Sequence, residues 1–161
     1  MAIPQRICDY LDSQNILYEV VHHSKAFTGQ EVAHSLRVSG KRCVKSIVVG
    51  GDDRTVLVVI PASRRLNFQD LMAALEASRL DILPESELAG LFPDCDLGAV
   101  PPFGNLYGMD VWVDRAVADA EEILFCAGTH EDCIRMRYSD FAKLTLPRLG
   151  RFAEIAAAKA A

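Results

Sequence analysis

Apolar positions recur along this chain in two rhythms. Ile3, Ile7, Tyr10 and Leu11 fall at helical spacing and predict a first helix over residues 4–14. ILYEVV (16–21) changes to an extended, β-branched pattern and reads as a strand. TGQE (28–31) fits a capping box, so a second helix is expected to start there and run through VAHSL (32–36). CVKSIVV (43–49) and TVLVVI (55–60) are near-continuous apolar runs joined by the turn residues GGDDR, which predicts a hairpin ended by Pro61. Asn67 can cap a helix over 68–77 with Phe68, Leu71, Met72 and Leu75 on one face.

Farther on, LDIL (80–83) reads as a short strand, and Pro84 suits the first position of a helix through ESELAGLF. DVWVD (110–114), EILFCAG (122–128) and CIRM (133–136) read as strands. Ser139 is expected to cap a last helix ending near Leu144, and the tail AEIAAAKAA is helix-prone. Hairpin-like pairs stand beside isolated strands without regular βαβ alternation. The expected class is therefore α+β, a mixed sheet with helices packed outside, in one domain spanning residues 1–161.

Composition narrows the picture. Half of the 161 residues are hydrophobic and the net charge is −5, so a surface coated by nucleic acid is not expected and any RNA contact must be local. No run approaches the ~20 apolar residues of a membrane span. The polar start MAIPQRICDYLDSQN does not resemble a signal peptide, which with five cysteines lacking CxxC spacing points to a cytoplasmic protein with reduced thiols. No metal site or cofactor is expected: His22 and His23 would point to opposite faces of an extended segment.

Two features carry candidate chemistry. Lys45 lies inside an apolar strand, where it either snorkels at a strand end or faces a pocket as a cation able to hold phosphate or carboxylate. The second is GAVPPFG (98–104), two prolines bracketed by glycines. Such a stiff loop is either a rigid connection or a frame that aims the N–H groups of Ala99, Val100, Phe103 and Gly104 at a carbonyl oxygen gaining charge during acyl transfer. Cys43, two residues before Lys45, reads as a packing residue, with a thiol nucleophile as the distant alternative.

Taken in order, HHSKAFT, VKSIVV, GAVPPFG and AGTHEDCIRM resemble the YbaK/EbsC family, free-standing relatives of the editing domain inserted in bacterial prolyl-tRNA synthetases. The resemblance covers roughly Ile3 to Leu144. It implies a strongly curved, barrel-like sheet and a deacylase that hydrolyses the ester of a mischarged tRNA in trans, most commonly a proline tRNA carrying a small wrong amino acid. It implies the tRNA acceptor end as partner, with a synthetase as a further one. Lys45 would hold the terminal adenosine phosphate or orient the aminoacyl group, and Gly98 with Pro102 would occupy the named positions of the Gly-x-x-x-Pro loop. His23, Phe27, Thr28, Ser46, Ala99, Val100, Phe103, Gly104, Gly128, Thr129 and His130 would line the substrate site. Loop histidines are commonly exposed; His130 could line the pocket or accept a proton. Cys133 before Ile134 departs from the aspartate of cysteinyl-specific members, and Ser46 replaces the usual threonine, which leaves alanyl, seryl and threonyl esters open. Lys41, Arg42, Arg64 and Arg65 could touch the acceptor stem or be solvated loop charges. The alternative function is a non-catalytic module that binds an aminoacyl, nucleotide or protein ligand in the same pocket.

Overall fold

In the computed structural model, which describes residues 2–22 and 42–155, two adjacent strands form the centre. These are β2 (Val44–Gly51) and β3 (Arg54–Pro61), paired antiparallel from Val44–Pro61 to Gly51–Arg54. Their two-residue turn, Asp52-Asp53, has φ of 52° and 62°. Positive φ at both central positions gives the twist that a tight hairpin needs. Asp52 also accepts hydrogen bonds from the Ser78 N–H and hydroxyl at 2.7 and 2.8 Å, tying the turn to the next segment.

β5 (Asp81–Ile82) adds to the β2 side. β6 (Asp110–Asp114) and β9 (Arg148–Gly150) add in parallel on the β3 side, giving a mixed sheet ordered β5-β2-β3-β6-β9. A second, antiparallel sheet is formed by β1 (Tyr18–His22), β8 (Asp132–Arg137) and β7 (Glu122–Cys126), and β4 (Arg64–Leu66) pairs with β10 (Ala153–Ile155). The two larger sheets meet at a parallel bridge between Cys43 and Leu124, where the Leu124 N–H donates to the Arg42 carbonyl at 2.9 Å. They wrap one core as the resemblance implied, but the barrel is not closed.

Strand alternation divides the apolar residues. Val44, Val48, Leu57, Val59, Val111 and Val113 face inward against Ile123, Phe125, Ile134 and Met136 of the second sheet. Helices α1 (Gln5–Ser13) and α5 (Tyr138–Thr145) close this core with Ile7, Leu11 and Phe141. On the outer face Val49, Val56, Val58, Ile60 and Trp112 pack on Leu71 and Leu75 of α2 (Phe68–Leu75) and on Phe152. Asn67 caps α2 as expected, accepting from the Asp70 N–H at 2.9 Å. Pro84 stands just before α3 (Glu85–Leu91), as its N-cap rather than its first residue. No helix among the described residues is long and apolar enough to cross a membrane.

Two expectations need correction. Ser139 does not cap the last helix, which begins at Tyr138 with Arg137 as N-cap and no side-chain cap. The Tyr138 N–H instead donates to the Glu121 carbonyl at 2.9 Å, so tertiary contact sets the start. The tail is not helical where it is described: Ala153–Ile155 pairs with β4, and Glu154 accepts from Arg65 at 2.7 Å and Asn67 at 2.9 Å. Backbone partners outweigh the helix propensity of three residues. The helix expected from Thr28 lies outside the described residues.

Asp114 joins the end of β6 to the chain after β9. Its carboxylate is 5% exposed and accepts 2.9 Å hydrogen bonds from the N–H groups of Ala116, Phe152 and Ala153. The first of these starts the short helix α4 (Arg115–Ala118). Asp114→Ala leaves buried donors unpaired and is expected to cost about 3 kcal/mol. Urea unfolding should show a lower midpoint at unchanged slope; a loss below about 1 kcal/mol would mean that water replaces the carboxylate.

Candidate functional site

The Gly98 loop and the segment after β7 are clasped backbone to backbone. The Gly128 N–H donates to the Ala99 carbonyl, and the Asp96 N–H donates to the Gly128 carbonyl, both at 2.8 Å. Gly128 has φ +90°, and a Cβ there would run into the Pro4 ring. Gly98 has φ +83°, and a Cβ there would lie 3.2 Å from His130 Cε1. Both positions sit in the backbone region that favours glycine.

His130 locks the same junction. It is 8% exposed, not the surface histidine that its loop position suggests. Its Nε2 lies 2.8 Å from the Leu97 carbonyl oxygen. A carbonyl only accepts, so Nε2 carries the proton and donates. Proton acceptance by the neutral ring is thereby left to Nδ1. Thr129 organises the turn beyond. Its hydroxyl donates to Asp132 Oδ2 at 2.8 Å and accepts from the N–H groups of Glu131 and Asp132 at 3.2 and 2.9 Å. Asp132 Oδ1 lies 3.0 Å from His22 Nδ1, a contact that raises the histidine pKa. Asp132 was not among the expected residues; the Thr-x-x-Asp spacing of 129–132 was its available signal.

The proline loop is less exposed than its composition suggests. Gly98 is exposed and Val100 partly so, but Pro101, Pro102, Phe103 and Gly104 are buried. Phe103 is fully buried, edge-on to Phe125 and Phe141 with centroids 5.5 Å away in each case, so it anchors the loop in the inner core. A Cβ at Gly104 would lie 3.0–3.1 Å from Met109 and Leu57, so this glycine serves packing. The Ala99 N–H is engaged by the Asp96 carbonyl at 3.1 Å. Among the described residues, Gly98 and Val100 are the loop positions whose N–H groups make no protein hydrogen bond at the exposed end.

Lys45 is the second residue of β2 and half-buried, and burial lowers its pKa below the ordinary lysine value. It makes no hydrogen bond or ion pair among the described residues. Alternation puts it on the face of Ile47 and Val49, whereas Ser46 shares the inward face of Val44 and Val48. In the register of the Cys43–Leu124 bridge, Lys45 is level with Cys126, and Ala127 to His130 follow directly. The lysine strand and the clasped loops thus reach the same end of the fold.

Three thiols pack beside this junction: Cys43, Cys126 and Cys133. Burial pushes Cys43 up to about 12, which disfavours a thiolate there. Cys133 donates to Cys126, holding the Cys126 thiol below its ordinary value and its own above. No group of three His, Cys, Asp or Glu residues among those described is arranged to hold a metal ion. His23, Phe27, Thr28 and Lys41 lie outside the described residues.

Comparison with known proteins covers these segments together. The family model of the aminoacyl-tRNA editing domain matches residues 23–144. The proline–tRNA ligase of Thermosipho melanesiensis is 44% identical over 102 residues, 63% of this chain and 17% of the ligase. That of Geobacillus sp. (strain WCH70) is 29% identical over 99 residues, 62% of this chain and 17% of the ligase. The matched region is thus about a sixth of the length of these relatives. A solved structure described as a candidate trans-editing enzyme for prolyl-tRNA synthetase superposes with a TM-score of 0.80 at 20% identity, covering 93% of this chain and 96% of its own.

The clasp predicts an ordering of two variants. Gly98→Ala meets backbone strain and a ring that can shift slightly, and is expected to lose about 1 kcal/mol. Gly128→Ala meets the same strain and the Pro4 ring, and is expected to lose about 2–3 kcal/mol. Thermal unfolding of both variants decides this; equal melting temperatures would show that Pro4 yields freely.

Proposed function

Because the chain belongs to the aminoacyl-tRNA editing domain family, we propose that it is a trans-acting deacylase that removes a small wrong amino acid from a mischarged tRNA, most commonly a proline tRNA. The carrying observation is that the family match spans both the Lys45 strand and the two clasped glycine loops. Similarity to proline–tRNA ligases supports the choice of tRNA.

On this reading Lys45 holds the terminal phosphate or orients the aminoacyl group. A half-buried ammonium interacts more strongly with an anion than one in bulk water, because the local dielectric is lower. The N–H groups of Gly98 and Val100 face the ester carbonyl and stabilise the negative charge that grows on its oxygen. Water adds to the carbonyl carbon, the ester C–O bond breaks, and the terminal ribose hydroxyl leaves with a proton as the free amino acid departs. An aminoacyl ester is already activated, so positioning and polarisation supply most of what the step needs. Cys43 takes no covalent part, since burial keeps its thiol protonated. His130 holds the Gly98 loop through Leu97 and is a positioning residue.

A panel of mischarged tRNAs, including alanyl, seryl and threonyl esters, tests the proposal; no hydrolysis of any member, with RNA binding intact, would favour a binding module. Lys45→Ala is expected to lower deacylation more than tenfold through loss of a charge-assisted contact of about 1.5–3 kcal/mol. Normal turnover in that variant removes Lys45 from the site. Cys43→Ala should retain activity, and an acyl group trapped on Cys43 would overturn the mechanism.

The pH dependence follows from burial of the lysine. Its folded-state pKa is depressed, and only the protonated form holds an anion. Substrate affinity should therefore be full below that pKa and fall as pH rises through it, at a lower pH than a solvated lysine would give. Lys45→Arg should move this alkaline limb upward in a KM–pH profile. An unchanged limb would assign it to another group.

A further inference from the structure

The row of the large sheet that carries Lys45 ends in a second feature. Lys45 faces Ile60 across β2–β3, Val59 faces Val113 across β3–β6, and Asp114 faces Gly150 across β6–β9. Just beyond this row the chain places an arginine after each of three strands: Arg64 after β3, Arg115 after β6 and Arg151 after β9. All three line one open cleft of about 350 Å³, together with Asp114 and Asp119.

Unlike several other arginines of the chain, these three have no carboxylate partner among the described residues. Arg6, Arg65, Arg79 and Arg135 each lie against a carboxylate. The side chains of Arg64, Arg115 and Arg151 make no hydrogen bond or ion pair among the described residues. Asp114 is held by three backbone N–H groups and makes no ion pair with these arginines among the described residues. Three guanidinium groups thus stand against two carboxylates, a formal charge of +1 for the cleft lining. In a chain of net charge −5, this is a local reversal of sign. Guanidinium forks match phosphate oxygens in geometry and charge.

We propose that this cleft is a phosphate-binding subsite for the sugar–phosphate backbone of an RNA strand whose 3′ end occupies the Lys45 end of the sheet; the placement of that end rests on the deacylase reading above. The spacing fits. Strands lie ~4.8 Å apart, so the positions beyond β6 and β9 are ~10 and ~14 Å across the sheet from β2. A stacked strand advances about 3.4 Å per nucleotide, so the cleft meets phosphates about three or four nucleotides back from the terminus. That stretch is the single-stranded acceptor end. The arginines read charge and not sequence, so they contribute affinity common to different tRNAs. This separates grip, in the arginine cleft, from the choice of aminoacyl group, near Lys45 and Gly98.

The test uses the full chain and an uncharged RNA hairpin ending in a single-stranded CCA, with adenosine 5′-monophosphate as the small probe. Binding is followed by fluorescence anisotropy for the hairpin, and by calorimetry for the nucleotide, at several salt concentrations. The triple variant Arg64→Ala, Arg115→Ala, Arg151→Ala is expected to bind the hairpin at least tenfold more weakly. Its slope of log affinity against log salt should be smaller by about two, since each phosphate contact on a single strand contributes about 0.7. Nucleotide binding and melting temperature should not change. The triple Arg→Lys variant keeps the charges and should recover most of the slope, which guards against a folding defect. Unchanged hairpin affinity and slope, an equal loss for the nucleotide, or no hairpin binding by the unaltered chain each overturn the proposal. Loss of synthetase association with hairpin binding intact overturns it in favour of a protein partner. A chain that binds the hairpin through the arginines but hydrolyses no ester keeps the cleft and removes the deacylase reading. Hydrolysis with an unchanged KM in the alanine variant does the reverse.

Discussion

The arrangement depends on two hydrogen bonds made by one glycine. Gly128 gives its N–H to Ala99 and its carbonyl to Asp96. The turn between β7 and β8 and the loop that reaches Phe103 are thereby held as one unit. A side chain at Gly128 would collide with Pro4, so the close approach of α1's leading residue requires that position to be bare. The clasp is local, yet each arm reaches deep. Phe103 runs into the ring cluster with Phe125 and Phe141, and β7 runs back to the bridge at Cys43. A short exposed stretch around Gly98 is therefore rigid because what flanks it is buried. Pre-set donors of this kind lose little freedom when a ligand arrives, which is what makes a backbone cradle effective.

The inward and outward faces of the large sheet divide the work. Val44, Val48, Leu57 and Val59 supply inner packing, while Lys45 shares its face with Ile47 and Val49. A lysine at the second position of a central strand costs solvation, and burial accordingly lowers its pKa. The same desolvation strengthens its pull on an anion. Three arginines gather at one sheet end of an acidic chain, so on the proposed reading attraction for a phosphate chain is directed to that end.

Much of this was legible in the sequence where local pattern and tertiary structure agree. The hairpin from Val44 to Pro61 follows from two apolar runs and an Asp-Asp turn, and Asn67 from cap chemistry. Reading failed where partners distant in the chain decide. Ser139 has a cap's chemistry, but the Glu121 carbonyl sets the helix start two residues earlier, with Arg137 as N-cap. β4, β9 and β10 have three residues each, too few to show a period of two. Gly98 and Gly128 were identifiable as special residues. Their clasp was not, because it joins positions thirty residues apart, and a separate local bond to the Asp96 carbonyl withdraws the Ala99 N–H from the set of donors the loop's composition suggested. His130 is likewise a residue whose burial no local pattern reports.

The thiols beside Lys45 bear on why the proposed chemistry uses backbone and a cation. Cys43, Cys126 and Cys133 share one small cluster, and a nucleophile there would need a thiolate. Burial raises Cys43, and Cys133 is raised further by donating to Cys126. Cys126 is favoured as the anion by that same bond, but its sulfur is directed at Cys133 and shielded by the cluster. A covalent route would have to break this contact and then regenerate it in every cycle. Polarising an ester that is already activated asks for no such rearrangement. The groups the proposed route calls on, the N–H donors that flank the clasped Ala99 and the Lys45 ammonium, sit on backbone that the clasp and the strand bridge hold in place.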